Sequence, residues 1–283
     1  MPALVIEGGA NRASYATGVL AALQSAGFVP DAAYGTSAGG ALGAWYAAGQ
    51  MELACRTWNA VRDRELLSYR RALLGGYVFD LRRLYHHYYP KVFGLDVAAV
   101  KRAPFPVHVT ITDADTGETL HPDIRHAEDP MLLIHAGAAI PLLAEAPIEW
   151  DGRRCIDGGA TQPIPLEKAI ADGHKDIVVV LNRAHGERKP EPGWAVALIA
   201  RQFPALEGAA RLHHELHNRA VRLALAPPEG VRVRVIRPAT DTGVSRATRD
   251  LALIRRAIER GRADGLRAAA QMGLTGVLPR LRA

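Results

Sequence analysis

Residues 28–49 read FVPDAAYGTSAGGALGAWYAAG, and their order decides the fold. Phe28 to Tyr34 is short and apolar enough for a strand. Ala38 to Ala48, rich in Ala, Leu and Trp, has the composition of a buried helix closed by Gly49. Between them stands Gly35-Thr36-Ser37-Ala38-Gly39, a G-x-S-x-G sequence. A strand that becomes a helix within five residues must bend sharply at the middle one. Small residues two before and two after, Gly35 and Gly39, let strand and helix approach each other. The Ser37 hydroxyl then projects above the sheet, at a helix N-terminus that favours developing negative charge. Taken alone, the pentapeptide leaves three readings open: a triad enzyme, a dyad enzyme, or an incidental serine in a Gly-rich turn.

Working outward, Leu4-Val5-Ile6 reads as a buried strand ending at Gly8-Gly9. Tyr15, Val19, Leu20 and Leu23 then recur at helical spacing between Ser14 and Ala26. The order β–loop–α–β–turn–α predicts a parallel sheet covered by helices. Met51 to Arg102 mixes arginines with Tyr69, Tyr77, Phe79, Tyr85, Tyr88, Tyr89 and Phe93, and is broken by Gly75-Gly76. It reads as a cap or lid insertion. Strands are expected at Pro106–Thr112 and Glu118–His121, and on both sides of an Asp151-Gly152 turn within Ile148–Ile156. Asp176–Leu181 is expected as a buried parallel strand, and Val231–Ile236 as an edge strand. Helices are expected at Pro130–Ala138, Leu166–Ala171 and Ala205–Leu225, the last with Leu212, Leu216, Ala220 and Leu223 on one side, and at Arg249–Ala270. The simplest organisation is one α/β domain over residues 1–283. It has a mainly parallel central sheet flanked by helices, a cap at 51–102 and a helical C-terminal extension at 205–283 packed on the same domain.

The chain has 283 residues, 48% hydrophobic and 23% charged, an ordinary balance for a globular protein. Its net charge of +6 suits an anionic partner without choosing among membrane, nucleic acid and acidic substrate, and a solvated arginine-rich surface explains it as simply. Cys55 and Cys155 have no metal-site spacing, so neither a metal nor a disulfide is expected, and a reducing compartment fits best. The start of the chain lacks a basic, then apolar, secretory pattern. No run of 18 uncharged apolar residues occurs, so a membrane-spanning helix is not expected.

Two further motifs flank the elbow. Gly8-Gly9-Ala10-Asn11-Arg12 follows the first strand and opens the first helix. Successive backbone amides there can form an anion-binding nest, with Arg12 adding positive charge. Neither a G-x-G-x-x-G nor a GK[ST] pattern is present. Asp157-Gly158-Gly159 stands at a strand end, where alone it is more often a turn than a catalytic group.

Taken in order, Glu7-Gly8-Gly9-Ala10-Asn11-Arg12-Ala13, Gly35-Thr36-Ser37-Ala38-Gly39 and Asp157-Gly158-Gly159 resemble the motifs of the patatin-like phospholipase family. Ala138-Ala139-Ile140-Pro141 and Pro163-Ile164-Pro165 resemble the stretches before and after that family's aspartate. The resemblance covers roughly residues 4 to 182. It implies a three-layer patatin-like fold and a serine lipid acyl hydrolase of phospholipase A or esterase type. Ser37 would be the nucleophile and Asp157 its base. The oxyanion would be held by the loop Gly8, Gly9, Ala10, Asn11 and Arg12, with no metal or cofactor. It further implies a phospholipid or other acyl-ester substrate and no nucleic acid. A cytoplasmic location with peripheral contact at an anionic inner membrane surface is expected. The family loop usually ends Arg-Gly and often carries a third glycine where Ala10 stands; here Ala13 follows Arg12, so a reshaped loop is expected.

Two rivals stand beside it. One is an α/β-hydrolase with a Ser-His-Asp triad, since His174, His185, His213, His214 and His217 all follow Asp157. Against it, the elbow comes after only two strands and no HGGG motif is present. The other is a non-catalytic peripheral membrane-binding or nucleic-acid-binding protein, built on the Arg/Tyr-rich segment 62–102 and the basic C-terminal helix.

Overall fold

Strand β1, Ala3–Ile6, has every residue fully buried, as a short Leu-Val-Ile run at the centre of a parallel sheet must. The computed structural model describes residues 1–191, 193 and 195–274. After β1 come α1 (Ser14–Ser25), β2 (Ala33–Thr36), α2 (Ala38–Ala47) and α3 (Met51–Thr57). Short helices α4 (Tyr69–Leu73), α5 (Leu81–Arg83) and α6 (Val97–Lys101) follow, with a π-helical stretch at Leu84–Val92. The chain then forms β3 (Val107–Asp113), β4 (Thr119–Leu120), α7 (Pro130–Ala138), β5 (Ile148–Trp150), β6 (Arg153–Asp157), α8 (Leu166–Ala171) and β7 (Asp176–Val180). It ends with α9 (Ala195–Gln202), α10 (Glu207–Leu225), β8 (Arg232–Ile236) and α11 (Leu251–Gln271). Residues 275–283 of the expected C-terminal extension lie outside the described residues.

The sheet order is β5-β6-β3-β2-β1-β7-β8, with β4 paired to β3. Strands β3, β2, β1, β7 and β8 are parallel to their neighbours in that run, while β4, β5 and β6 are antiparallel. Alternation along each strand divides the core. Leu4, Ile6, Val178 and Val180 face α1, α2 and α11, whereas Ala3, Val5, Ile177 and Val179 face α8 and α10. The expected mainly parallel, three-layer α/β architecture is therefore what the chain adopts.

Register places the site. Ile6 pairs with Gly35, so the loop leaving β1 and the turn leaving β2 emerge side by side. Thr36 pairs with Thr110 of β3, and Asp157 pairs with the adjacent Ile111 from the other side. Ser37 and Asp157, 120 positions apart in sequence, are thus delivered to neighbouring strand ends.

Three expectations are corrected. The second strand begins at Ala33 rather than Phe28, because Val29-Pro30-Asp31 forms a connection whose proline cannot donate to a ladder. Helix α10 buries His217, Ala220 and Ala224; of the expected stripe, Ala220 is buried and Leu223 packs on the core, but Leu212 is 48% exposed. Segment 51–102 does not present a free arginine surface throughout. Arg82 binds Glu145, Arg83 binds Glu65, and Arg71 donates to the carbonyls of Glu65, Tyr77 and Val78.

Candidate active site

Ser37 caps α2 at φ 56°, ψ −126°, a backbone state that side-chain-bearing residues rarely adopt. The flanking glycines explain how the chain holds it. A Cβ on Gly35 would lie 2.4 Å from the Gly39 carbonyl oxygen, and one on Gly39 would lie 2.5 Å from that of Ile6. Strand and helix therefore meet backbone to backbone, and the serine side chain is turned out of the sheet.

Asp157 is 6% exposed. Its Oδ2 accepts the Ser37 hydroxyl at 2.6 Å, and its Oδ1 accepts the Gly159 amide at 2.6 Å. Burial pushes the carboxyl above the usual range; the Ser37 and Gly159 hydrogen bonds and the charges of Arg246 and Lys189 oppose that push without cancelling it. Gly158 is forced by packing, because a Cβ there would sit 2.2 Å from the Thr110 carbonyl oxygen.

The Gly-rich loop runs against the serine, with the Cβ position of Gly8 3.2 Å from Ser37 Cβ. Three of its five amides are already used. Gly8 donates to Pro163, Asn11 to Arg246 and Arg12 to Gly9. Among the described residues, the amides of Gly9 and Ala10 have no acceptor. The Asn11 side chain donates to the Thr248 carbonyl at 2.8 Å, which ties the loop to the C-terminal part of the chain. Ala10 stands at φ 49°, the left-handed region that glycine enters without strain, so the alanine at this position holds the loop under strain.

Behind the loop lies a brace that sequence patterns did not reveal. Glu7 is 4% exposed; its Oε1 lies 2.7 Å from His217 Nε2, and its Oε2 accepts the Asn182 amide. Burial pushes the Glu7 carboxyl up, but bonds from His217 and Asn182 and the charge of Arg183 bring it below the usual range. Glu7 adjoins the glycine motif, and His217 lies on the 213–217–220–224 face of α10. Helical spacing anchored on the histidines instead of the leucines would have found it.

Two cavities meet at Ser37. One, of about 320 Å³, is bounded by the Gly-rich loop, Asp157, Arg12, Arg183, Lys189, His213 and Arg246. The other, of about 120 Å³, is apolar and runs under segment 51–102, lined by Leu42, Leu67, Phe79, Leu84, Tyr85 and Ile140. Among the described residues, no imidazole lies within hydrogen-bond distance of Ser37 or Asp157. His217 is engaged by Glu7, and the His213 ring nitrogens face Lys189 Nζ at 2.8 and 3.1 Å. No cluster of three or more His, Cys, Asp or Glu suited to a metal occurs among the described residues.

A parallel α/β sheet that presents a serine on a strained strand-to-helix turn, bonded to a buried carboxylate, is an arrangement that can activate the serine hydroxyl as a nucleophile. The chain belongs to the patatin-like phospholipase family, whose model matches residues 4–170. It is 26% identical over 192 residues to YjjU, an uncharacterised protein of Escherichia coli K12; the match takes in 63% of this chain and 51% of YjjU. The chain thus spans about half the length of that curated relative. A crystal structure of VipD from Legionella pneumophila aligns over 95% of this chain and 67% of its own, with 12% identity and a TM-score of 0.45.

Proposed function

We propose that the chain hydrolyses carboxylic esters of lipids through Ser37 and Asp157, by way of an acyl-enzyme. The 2.6 Å hydrogen bond from the Ser37 hydroxyl to Asp157 Oδ2, with no histidine in reach among the described residues, supports this best. Ser37 Oγ attacks the ester carbonyl as its proton passes to Asp157. The tetrahedral oxyanion lies against the Gly9 and Ala10 amides, the two loop donors without an acceptor. Collapse breaks the bond to the alcohol oxygen, which takes the proton from Asp157. Water then gives a proton to the same carboxylate and attacks the acyl-serine, and the fatty acid leaves as Ser37 recovers its hydrogen. The raised Asp157 pKa favours a base that must accept a proton in each half-reaction.

The acyl chain belongs in the apolar cavity under segment 51–102, which this reading makes a cap. Peripheral contact with an anionic membrane is part of the proposal. Leu73 and Leu74, 87% and 78% exposed, follow Arg70 and Arg71 in that segment. Cys55 and Cys155 are both free, which suits a cytoplasmic setting.

A fluorophosphonate probe should form a covalent adduct on the peptide bearing Ser37, identified by mass spectrometry. Ser37→Ala should lose the adduct and about 10⁴-fold or more of kcat/KM on a chromogenic acyl ester. Hydrolysis that survives in both Ser37→Ala and Asp157→Asn would overturn the dyad, and vesicle binding without hydrolysis would favour a non-catalytic membrane protein.

A further inference from the structure

The two loop amides without an acceptor, those of Gly9 and Ala10, belong to peptides that are anchored at their other end. A trans peptide is planar, and its C=O and N–H point in opposite directions, so a bond that fixes the carbonyl also aims the amide. The Gly9 carbonyl, which shares a peptide with the Ala10 N–H, accepts the Arg12 amide at 3.1 Å. The Gly8 carbonyl, which shares a peptide with the Gly9 N–H, accepts from Asn182 Nδ2 at 3.4 Å, and the same nitrogen donates to the Glu7 carbonyl at 3.2 Å. The Gly8 N–H, at the far end of that first peptide, donates to Pro163 at 3.3 Å. Asn182 thus holds two successive peptides of the loop, and the second of them keeps its N–H free.

Asn182 is itself built into this place. It follows β7 by two residues and is 3% exposed. Its backbone N–H donates to Glu7 Oε2, and Glu7 Oε1 meets His217 Nε2 of α10 at 2.7 Å. The Glu7 amide closes the ring on the Val180 carbonyl at 3.0 Å. Because its neighbours hold the Glu7 carboxyl below the usual range, it stays ionised and accepts from both partners. Only the nitrogen end of the Asn182 side chain can face two carbonyl oxygens, and its Oδ1 has no partner among the described residues. The side-chain bonds of Asn182 therefore go to the loop. Asn182 and His217 lie beyond the 4–170 stretch that the family model matches.

We propose that Asn182 is a positioning residue for the oxyanion. By holding the Gly8 carbonyl it turns the Gly9 N–H toward the oxygen that becomes negative at Ser37, and Glu7 with His217 keeps Asn182 in that position. Asn182 acts through the loop, not on the ester. The inference rests on the Ser37 reading, since it assigns how that reaction's oxyanion donors are held. A donor aimed at the tetrahedral oxygen is matched to the transition state, so misaiming it weakens the chemical step more than it weakens substrate binding.

Asn182→Ala and Asn182→Leu both remove the donor, the second with nearly the same side-chain volume. On a soluble nitrophenyl butanoate each should lower kcat by about 10- to 100-fold, short of the roughly 10²- to 10³-fold that follows outright loss of an oxyanion donor, and should change KM by less than about threefold. The oxyanion itself gives the second readout. A trifluoromethyl ketone labelled with carbon-13 at its carbonyl forms a hemiketal at Ser37. The serine oxygen bonds to the carbonyl carbon, the hydroxyl proton passes to Asp157, and the C=O electron pair moves onto oxygen. The carbon-13 shift followed against pH gives the pKa of that oxygen. It should rise by about one unit or more in both variants, a tenfold weaker hold on the alkoxide. A merely structural asparagine would lower the melting temperature and leave the hemiketal titration of the folded protein where it was. If either kcat or the titration is unmoved in the Leu variant, the positioning role is overturned and the hydrolase reading stands; if only one of the two variants folds, that one decides. No hemiketal at Ser37 in the unaltered protein overturns the hydrolase reading and this inference with it.

Discussion

Asp157 carries a charge in a place that resists it. Burial raises its pKa above the ordinary aspartate value of about 3.9, and Arg246 and Lys189 partly restrain the rise. The base must be ionised to accept a proton, so kcat/KM should fall as pH drops through this raised value, earlier than for an exposed aspartate. Arg246→Gln removes a charge that lowers the pKa, and should move the acid limb upward by on the order of half a pH unit for a solvent-screened charge. A pH–rate profile checks this, and a limb moving downward would exclude the coupling. The stability sign follows from the same shift. A carboxyl with a raised folded-state pKa makes the fold less stable as pH climbs from the ordinary aspartate value through the raised one. Asp157→Asn should therefore not lower the melting temperature at neutral pH, although it should cost about 10³-fold or more in activity. Ser37 and its flanking glycines were legible in sequence because backbone approach distances dictate them locally, whereas Asp157, in a motif that alone reads as a turn, was marked only by the family resemblance. The choice of Gly9 and Ala10 as free donors was not legible, since Pro163 and Arg246, which occupy neighbouring amides, lie far along the chain.

Helices α1 and α11 cross where three glycines coincide. A Cβ on Gly18 would lie 2.0 Å from the Ile258 carbonyl oxygen, one on Gly261 2.1 Å from that of Tyr15, and one on Gly265 2.6 Å from that of Val19. Two effects oppose each other at Gly261. Alanine is the better helix former by about 1 kcal/mol, while overpacking a tight contact costs roughly 1–3 kcal/mol, and a Cβ against backbone carbonyl belongs at the upper end. Packing wins, and Gly261→Ala should lower the melting temperature by about 2–8 °C in a circular dichroism melt. A rise would mean that the crossing is looser than it stands. The sequence made α11 legible as a basic helix, and the structure adds a buried face of Ile254, Ala257 and Ile258. Its glycines carried no periodic signal, because small residues at a crossing show their purpose only against the partner helix. The arginines misled in the same way. Arg262 reads as available charge, yet both of its terminal nitrogens bind Glu52 at 2.6 Å. In α10 the leucine spacing was only partly right: Ala220 and Leu223 pack on the core, but Leu212 is exposed and His217, bonded to Glu7, takes a buried place.

Across the whole molecule, the turn after β2 supplies Ser37, the end of β6 supplies Asp157, and residues beyond 180 supply Lys189, His213, His217 and Arg246. No local pattern joins these parts, which is why the serine was legible and the two unlike cavities beside it were not. The apolar cavity sets a limit on the substrate. At about 120 Å³ it is somewhat smaller than a 150 Å³ apolar cavity that holds benzene, so it admits roughly four to six carbons without movement of the cap. Leu84 is a half-buried wall residue supplied by the cap. Leu84→Ala should lengthen the preferred acyl chain by about two or three carbons, and Leu84→Trp should shorten it, because a wall side chain and a substrate methylene compete for the same space at about 0.8 kcal/mol per CH₂. Chain-length profiles of nitrophenyl esters from acetate to decanoate distinguish the cases. Opposite shifts place the acyl chain under the cap. If both variants instead keep the unaltered profile, the chain lies in the larger cavity, and the assignment of the two sides of Ser37 must be reversed.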